Sequence, residues 1–255
     1  MASQPQTKPK GFKYVIEHME EDDENTKALP EWVKLEYSHM LKLVGPQSTV
    51  HFTSLSASSI PPLISHLSAP SPVSSSGDPT IHLESTSKGH PTSLPILELL
   101  KSSSSSSSSS SSAEDREDRK AIPKERVCLL DPKAEKILSP EDADTFDVFL
   151  YGGILGDDPP RDRTKELRKL GFEGRHLGEK QMTTDTAVGV TKIVVEDQIS
   201  LDKIPFTDFP TITFNKYESI EMPFRYVVDD KGEPILPPGM REHLKADLNR
   251  SIEDF

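Results

Sequence analysis

Two compact apolar runs, RVCLLDP at 126–132 and FDVFLYGG at 146–153, constrain the fold more than any other feature of the sequence. Neither run alternates apolar with polar residues, which is typical of strands that a sheet buries on both faces. Further strands are predicted at 13–19 and 49–55, and helices at 29–45, 162–171 and the second half of 174–197. This alternation of strands and helices predicts an α/β domain with a mostly parallel sheet, in which ligands bind at the carboxyl ends of the strands.

A serine-rich segment interrupts this pattern between residues 54 and 120 and contains eleven consecutive serines, Ser102–Ser112. Serine side chains bury too little apolar area to offset the entropy that is lost when a chain becomes ordered. We therefore expect a mostly disordered insertion at about 54–120, with a short helix at 93–101 isolated within it. The remaining chain, about 190 residues, is long enough for one compact domain. The predicted organisation is a disordered tail at 1–12 and a single domain at 13–255.

The composition bears on partners and compartment. The formal net charge is −12, and an acidic surface repels phosphate backbones and attracts basic proteins. The one cysteine, Cys128, lies in an apolar run and is expected to be a core residue without a disulfide. No run approaches the ~20 apolar residues of a membrane span, and the polar N-terminus has no signal sequence. We expect a cytoplasmic protein with no membrane contact, no metal site and no direct contact with nucleic acid.

The segment FLYGGILGDDPPRDRT at 149–164 has the composition of a ligand-binding loop. Gly152, Gly153 and Gly156 allow a ligand to approach the backbone closely. Their spacing differs from that of the dinucleotide fingerprint, and Asp157 and Asp158 would repel a pyrophosphate. A cationic or near-neutral ligand such as S-adenosylmethionine (SAM), which has a sulfonium and no phosphate, fits this loop better. A simple glycine turn at the end of a strand stays an alternative interpretation.

Several stretches of the sequence are long and distinctive. The most specific are GGILGDDPPRDRTKEL and LGEKQMTTDTA, and the others are YVIEHMEE, EWVKLEYSHMLKLVG, RVCLLDPKA and FNKYESIEMPFRYVVDDKGEPILPPGM. Together they resemble the fungal SPOUT-class protein arginine methyltransferases that modify the KH-domain protein of the small ribosomal subunit. The resemblance implies a SPOUT-type trefoil-knotted α/β fold, which periodicity does not predict because true knots are very rare. It also implies that the loops of the knot bind SAM in a bent shape.

By position, the resemblance assigns eleven residues in three loop segments to the cofactor pocket. They are Leu130 and Asp131; Gly152, Gly153, Ile154 and Gly156; and Leu177, Gly178, Gln181, Met182 and Thr183.

Methyl transfer to arginine also needs groups that hold the guanidinium and accept a proton. Carboxylates form paired hydrogen bonds with a guanidinium and can take its proton as it reacts. The candidate catalytic residues are Asp157, which is preferred, with Asp158, Asp162 and Glu17, and with Glu20 and Glu21 in the acidic segment after the first strand.

Each candidate has a structural alternative. Asp158 precedes a proline and could cap a helix, and Asp162 could pair with a flanking arginine. Glu20 and Glu21 fit a solvated charged face. The sequence favours structural roles for His18 and His176, and core positions for Trp32 and Tyr37.

Three functions remain open at the level of sequence. The preferred one is a SAM-dependent methyltransferase that modifies an arginine of a small-subunit ribosomal protein. A SPOUT methyltransferase of rRNA or tRNA is the second, and the acidic charge balance disfavours it. A non-catalytic ribosome-assembly factor is the third, and it predicts little binding of the cofactor. A monomer and a dimer are both compatible with the sequence.

Overall fold

The structure is a computed structural model and describes residues 11–23, 26–68, 87–102, 122–153 and 164–253. The strands are β1 (Lys13–His18), β2 (Thr49–Thr53), β3 (Lys88–Pro91), β4 (Val127–Leu130), β5 (Val148–Gly153), β6 (Glu173–Arg175), β7 (Phe206–Asp208), β8 (Thr211–Thr213), β9 (Ser219–Glu221) and β10 (Arg225–Val227). The helices are α1 (Glu31–Val44), α2 (Ile60–Ser68), α3 (Ile96–Ser102), α4 (Asp142–Thr145), α5 (Thr164–Lys169), α6 (Thr184–Val195) and α7 (Met240–Glu253). The strands and helices that the apolar runs predict are therefore confirmed.

Six strands form one parallel sheet in the order β3-β2-β1-β5-β4-β6. Because every pair is parallel, the carboxyl ends of all six strands lie at one edge. The predicted α/β architecture with a mostly parallel sheet is thus confirmed. The knot depends on connections that include residues 154–163, which lie outside the described residues, and it stays a prediction.

Apolar side chains cover both faces of the sheet, as the unalternating strands predict. One cluster includes Tyr14, Phe52 and Cys128 and packs against α1 and α6. The opposite cluster includes Val15 and Leu129 and packs against α3 and α5. Burial at each face supplies the main stabilising free energy of the domain, at about 25 cal/mol for each Å² of apolar area.

The predicted insertion at about 54–120 is wrong in part. Helix α2, strand β3 and helix α3 all lie within it, and β3 forms the edge of the sheet beside β2. Leu63 in α2 and Ile96 in α3 are at most 1% exposed, so apolar residues between the serines and prolines do reach the core. The helix predicted at 93–101 exists but is packed onto the sheet. Residues 69–86 and 103–121 lie outside the described residues.

The predicted tail at 1–12 is also too long. Phe12 is 3% exposed and its ring packs against that of Phe149 at 5.6 Å between centroids. Its backbone N–H donates to Ser48 Oγ at 3.1 Å. The domain therefore begins at or before Phe12, because a residue with these contacts belongs to the core.

The C-terminal part forms two small antiparallel pairs, β7 with β10 and β8 with β9. A tight turn lies at Gly232, which has a φ of 80° and whose N–H donates to the Asp229 carbonyl at 2.9 Å. Helix α7 follows and contacts α1. Within the described ranges, no helix combines the length and apolar character needed to cross a membrane.

Candidate active site

A cavity of about 430 Å³ lies at the carboxyl ends of β4 and β5. This is the edge at which a parallel sheet is expected to bind ligands. The cavity is lined by the ends of two strands, the segment after β4, one face of α5, the segment before α6 and the first turn of α6. These residues are Leu130, Asp131, Pro132, Lys133, Tyr151, Gly152, Thr164, Arg168, Leu177, Gly178, Glu179, Lys180, Gln181, Met182, Thr184 and Ala187.

Asp131 carries a buried carboxylate at the wall of this cavity. Its side chain is 5% exposed, and Oδ1 accepts a hydrogen bond from the Lys133 N–H at 3.0 Å. Arg168 on α5 donates from Nε to Oδ2 at 2.5 Å and from Nη2 to Oδ1 at 2.7 Å. A carboxylate that is buried beside a guanidinium in this way is a fixed charge pair with little freedom to rotate.

The segment from Leu177 to Met182 forms the facing wall. Gly178 has a φ of 101°, a conformation that side chains rarely adopt, and its N–H donates to His176 Nδ1 at 3.1 Å. The Gln181 carbonyl accepts a hydrogen bond from the Arg225 N–H at 2.8 Å. His176 therefore has the structural role that the sequence favours, and β10 anchors the end of the segment.

A buried polar cluster of Glu36, His39, Asp185 and Tyr226 lies beside the start of α6. His39 Nδ1 is 2.7 Å from Asp185 Oδ2, with side chains that are 8% and 1% exposed. Burial, and then the charge of Asp185, raise the pKa of Glu36 well above its ordinary value. Glu36 Oε2, Asp185 Oδ1 and the Tyr226 hydroxyl have no hydrogen-bond partner among the described residues. The cluster connects α1 and β10 to Asp185, which directly follows the cavity-lining residue Thr184.

Glu17 does not line the cavity, contrary to its predicted catalytic role. It is 8% exposed and accepts hydrogen bonds from Thr53 Oγ1 at 2.6 Å, Ser54 Oγ at 2.5 Å and the Ile96 N–H at 3.0 Å. These contacts join β1 to β2 and to the start of α3. Glu17 therefore stabilises the fold, and its oxygens are already occupied by groups of the same domain.

Most of the predicted cofactor residues come together. Leu130, Asp131, Gly152, Leu177, Gly178, Gln181 and Met182 all line the cavity.

Gly153 and Thr183 are not among the lining residues. A Cβ on Gly153 would lie 2.9 Å from the Glu17 carbonyl oxygen, so the close approach of β1 requires glycine there. Thr183 precedes α6, and its Oγ1 donates to Thr186 Oγ1 at 2.8 Å. Ile154, Gly156, Asp157, Asp158 and Asp162 lie outside the described residues, so their predicted roles stay predictions.

Sequence reasoning missed the residues that helices contribute to the cavity. Thr164 and Arg168 lie four positions apart on α5, and Thr184 and Ala187 lie three apart on α6, so each pair shares one helix face. That spacing is readable in the sequence, but only the tertiary structure shows which face points to the cavity. Among the described residues, no group of three or more His, Cys, Asp or Glu side chains could hold a metal ion.

The fold and the cavity define an α/β domain that binds a small molecule through backbone-rich loops at the carboxyl edge of a parallel sheet. The family model for "Protein arginine N-methyltransferase SFM1-like" matches residues 13–251. The chain is 42% identical over 250 residues to the protein arginine N-methyltransferase SFM1 of Saccharomyces cerevisiae. The alignment covers 96% of this chain and 99% of the yeast protein. This chain therefore belongs to the SFM1-like family.

Solved structures of the yeast relative have a similar fold. The crystal structure of yeast SFM1 complexed with SAM has a TM-score of 0.71 at 38% identity and covers 95% of this chain and 93% of that one. The complex with SAH has a TM-score of 0.67 at 41% identity and covers 90% of this chain and 93% of that one. The SPOUT-class family that the sequence motifs indicate is thus confirmed.

Proposed function

We propose that this chain is a SAM-dependent protein arginine N-methyltransferase. The observation that carries the proposal is the cavity at the ends of β4 and β5, lined by seven of the eleven predicted cofactor residues, in a chain of the SFM1-like family. Yeast SFM1 is named as an arginine methyltransferase and has been crystallised with SAM and with SAH.

The residues of the cavity fit such a cofactor. Leu130, Leu177, Met182 and Ala187 offer apolar surface of the kind that an adenine ring needs. Gly152 and Gly178 have no side chains, so a ligand can approach the backbone closely at both positions. The carboxylate of Asp131 places a negative charge near a ligand that carries a sulfonium, while Arg168 keeps that carboxylate in one orientation.

The cofactor supplies a methyl group on a positively charged sulfur. The protein's own task is then to bind the target arginine in line with that methyl group and to keep both reactants in a fixed geometry. A guanidinium is a poor nucleophile because it is protonated and its lone pairs are delocalised. The site therefore also needs a group that accepts the proton that the arginine nitrogen loses.

We further propose that the substrate is an arginine in a basic protein of the small ribosomal subunit. The formal net charge of −12 favours a basic partner. The acidic segment Glu20–Asp23 follows β1 at the same edge as the cavity. It is held in place through Asp22, which accepts hydrogen bonds from Ser56 Oγ at 2.6 Å and Ser59 Oγ at 2.5 Å.

The test uses SAM labelled in its methyl group, purified protein and whole small ribosomal subunits. We expect label in one protein band that resists ribonuclease and is lost on protease treatment. Met182→Trp, which enlarges a side chain in the cavity wall, should abolish the label, whereas Leu94→Trp at an exposed position outside the lining should retain it. Label in rRNA would instead support an RNA methyltransferase, and absence of both label and cofactor binding would support a non-catalytic factor.

A further inference from the structure

His18 is the last residue of β1, at the same end of the sheet as the cavity. The proposed reaction assigns it no role. His18 is 7% exposed, and its Nε2 is buried without a hydrogen-bond partner among the described residues. Its Nδ1 is 2.7 Å from the hydroxyl of Tyr37, which stacks on Phe52 at 4.1 Å between centroids. The ring is therefore held at one nitrogen by a rigid neighbour and is unsatisfied at the other, which costs about 1–3 kcal/mol in a purely structural residue.

The register of the sheet places His18 beside strand β5, which contributes to the cavity wall, although His18 is not itself a lining residue. His18 pairs with Gly153 on β5, and Gly152, one residue earlier, lines the cavity. Neighbouring parallel strands lie about 4.8 Å apart. Side chains alternate between faces, so His18 shares the face of Tyr14 and Ile16, whose cluster also contains Leu130 and Tyr151 of the cavity wall.

Among the described residues of β5, the two that adjoin His18 have no side chain. Gly152 and Gly153 are both glycines, and a Cβ on Gly153 would lie 3.2 Å from the Cα of His18. The acidic segment Glu20–Asp23 begins two residues after His18. His18 thus adjoins this acidic segment in sequence and the cavity-lining strand β5 in register.

We infer that His18 is a catalytic residue whose Nε2 accepts a hydrogen bond, and then the departing proton, from the target arginine. The inference rests on the proposed function. In this arrangement Nδ1 carries the ring hydrogen and donates it to the Tyr37 oxygen, which leaves the lone pair of Nε2 available to accept a proton.

The proton and electron balance of the step is complete. A nitrogen–carbon bond forms between the guanidinium and the methyl group while the carbon–sulfur bond breaks, and that electron pair stays on the sulfur. The N–H proton of the methylated nitrogen passes to Nε2 and then to solvent. A nitrogen that has gained a methyl group while still protonated is strongly acidic, so a weakly basic imidazole is an adequate acceptor.

Electrostatics keep the imidazole in the required form. Burial lowers the pKa of His18 to about 4, although the charge of Asp22 and the backbone carbonyl of Glu20 oppose the shift. The ring is consequently neutral at physiological pH and does not repel an incoming cation. A carboxylate at this position would instead form an ion pair with the substrate before reaction and would bind it without favouring the transition state.

The first experiment compares His18→Asn with wild type in methyl transfer to whole small ribosomal subunits, with SAH binding measured by calorimetry. Asparagine can keep a hydrogen bond to Tyr37 but has no atom at the position of Nε2. We expect kcat to fall about 100-fold, with the Kd for SAH within twofold of wild type. His51→Asn, in the middle of β2, is the matched control and should transfer at the wild-type rate.

A second measurement does not depend on turnover or on the stability of a variant. In wild-type protein with ¹⁵N-labelled histidine and saturating SAH, Nα-acetyl-arginine amide should shift the Nε2 resonance of His18, and Nα-acetyl-lysine amide should shift it less. Unchanged kcat in His18→Asn, or an unshifted Nε2 resonance, would overturn the inference. Absence of any transfer by the wild type would instead count against the proposed function, so the two failures are distinguishable.

Discussion

Arg168 on α5 and Asp131 after β4 form a two-point ion pair at the wall of the cavity, with Nε–Oδ2 and Nη2–Oδ1 distances of 2.5 and 2.7 Å. The Asp131 side chain is 5% exposed and that of Arg168 is 34% exposed. The pair connects the end of a central strand to a helix that begins after residues 154–163. It therefore fixes the distance between two walls of the cavity.

Arg168→Lys should weaken cofactor binding while the fold is retained. Lysine keeps the charge but cannot donate two parallel hydrogen bonds to one carboxylate. We expect the Kd for SAH to rise about tenfold, equivalent to about 1.4 kcal/mol, in isothermal calorimetry.

Arg126→Lys provides the matched control for this change. Arg126 forms the same two-point pair with Asp147, at 2.7 and 2.5 Å, outside the cavity lining. Its replacement should leave the Kd for SAH unchanged. Equal effects of the two substitutions would mean that the Arg168 pair contributes only to general stability.

Gly178→Ala should also weaken cofactor binding, through the backbone. At a φ of 101° an alanine is strained, whereas its Cβ would meet no protein atom closer than 3.9 Å. The strain costs about 1–2 kcal/mol and is relieved if the segment 177–182 shifts. Gly232→Ala, at a φ of 80° in open space, should lose similar stability in thermal unfolding but should not change SAH affinity. A Gly178→Ala variant with wild-type affinity would contradict the expectation.

The sequence predicted the order of strands and helices well because their signals are local. Apolar runs without alternation identified β4 and β5, and Pro30 and Gly45 bracket α1. The serine-rich segment was misjudged for the opposite reason. Leu63 and Ile96 become core residues only through contacts with distant elements, and no local pattern distinguishes them from apolar residues in a disordered stretch.

The sequence predicted glycine positions in the candidate site better than it predicted contacts between side chains that are distant in sequence. The glycine-rich loop drew attention to Gly152, which lines the cavity, but the same argument also chose Gly153, where the close approach of β1 requires glycine. Gly178, which also lines the cavity, was assigned only through the family resemblance. The pairing of Arg168 with Asp131 joins residues 37 positions apart, so it cannot be read from either segment alone.

Glu17→Ala should reduce stability and leave cofactor affinity intact. The substitution, at a position that is 8% exposed, leaves the Ser54 hydroxyl and the Ile96 N–H without their acceptor. The Thr53 hydroxyl loses one of its two acceptors and keeps the Ile16 carbonyl. We expect a loss of about 2–3 kcal/mol in urea-induced unfolding, with SAH affinity within twofold of wild type. Glu21→Ala, at an exposed position in the adjoining segment, should change stability by less than about 0.5 kcal/mol. Wild-type stability with loss of methyl transfer would restore the catalytic role.

The free energy of unfolding of Glu36→Gln should increase relative to that of wild type as the pH rises. Burial and the charge of Asp185 raise the pKa of Glu36 above its ordinary value of 4.5. Below pH 4.5 the carboxyl is protonated in both the folded and the unfolded chain, so it has no effect on the difference. As the pH rises above 4.5, only the unfolded chain ionises, and wild-type stability falls until the folded pKa is passed.

Glutamine has the same shape and no charge, so the variant escapes this loss. Urea unfolding at pH 5 and pH 8 should show the variant gaining at least about 1 kcal/mol over wild type across that interval. Glu31→Gln is the control on the same helix, because the hydrogen bond from Lys34 lowers the pKa of Glu31 and gives the opposite, smaller dependence. Parallel pH profiles for wild type and Glu36→Gln would mean that Glu36 titrates alike in the folded and unfolded states. The proximity of Glu36 to Asp185 would then have no effect on the pH dependence of stability.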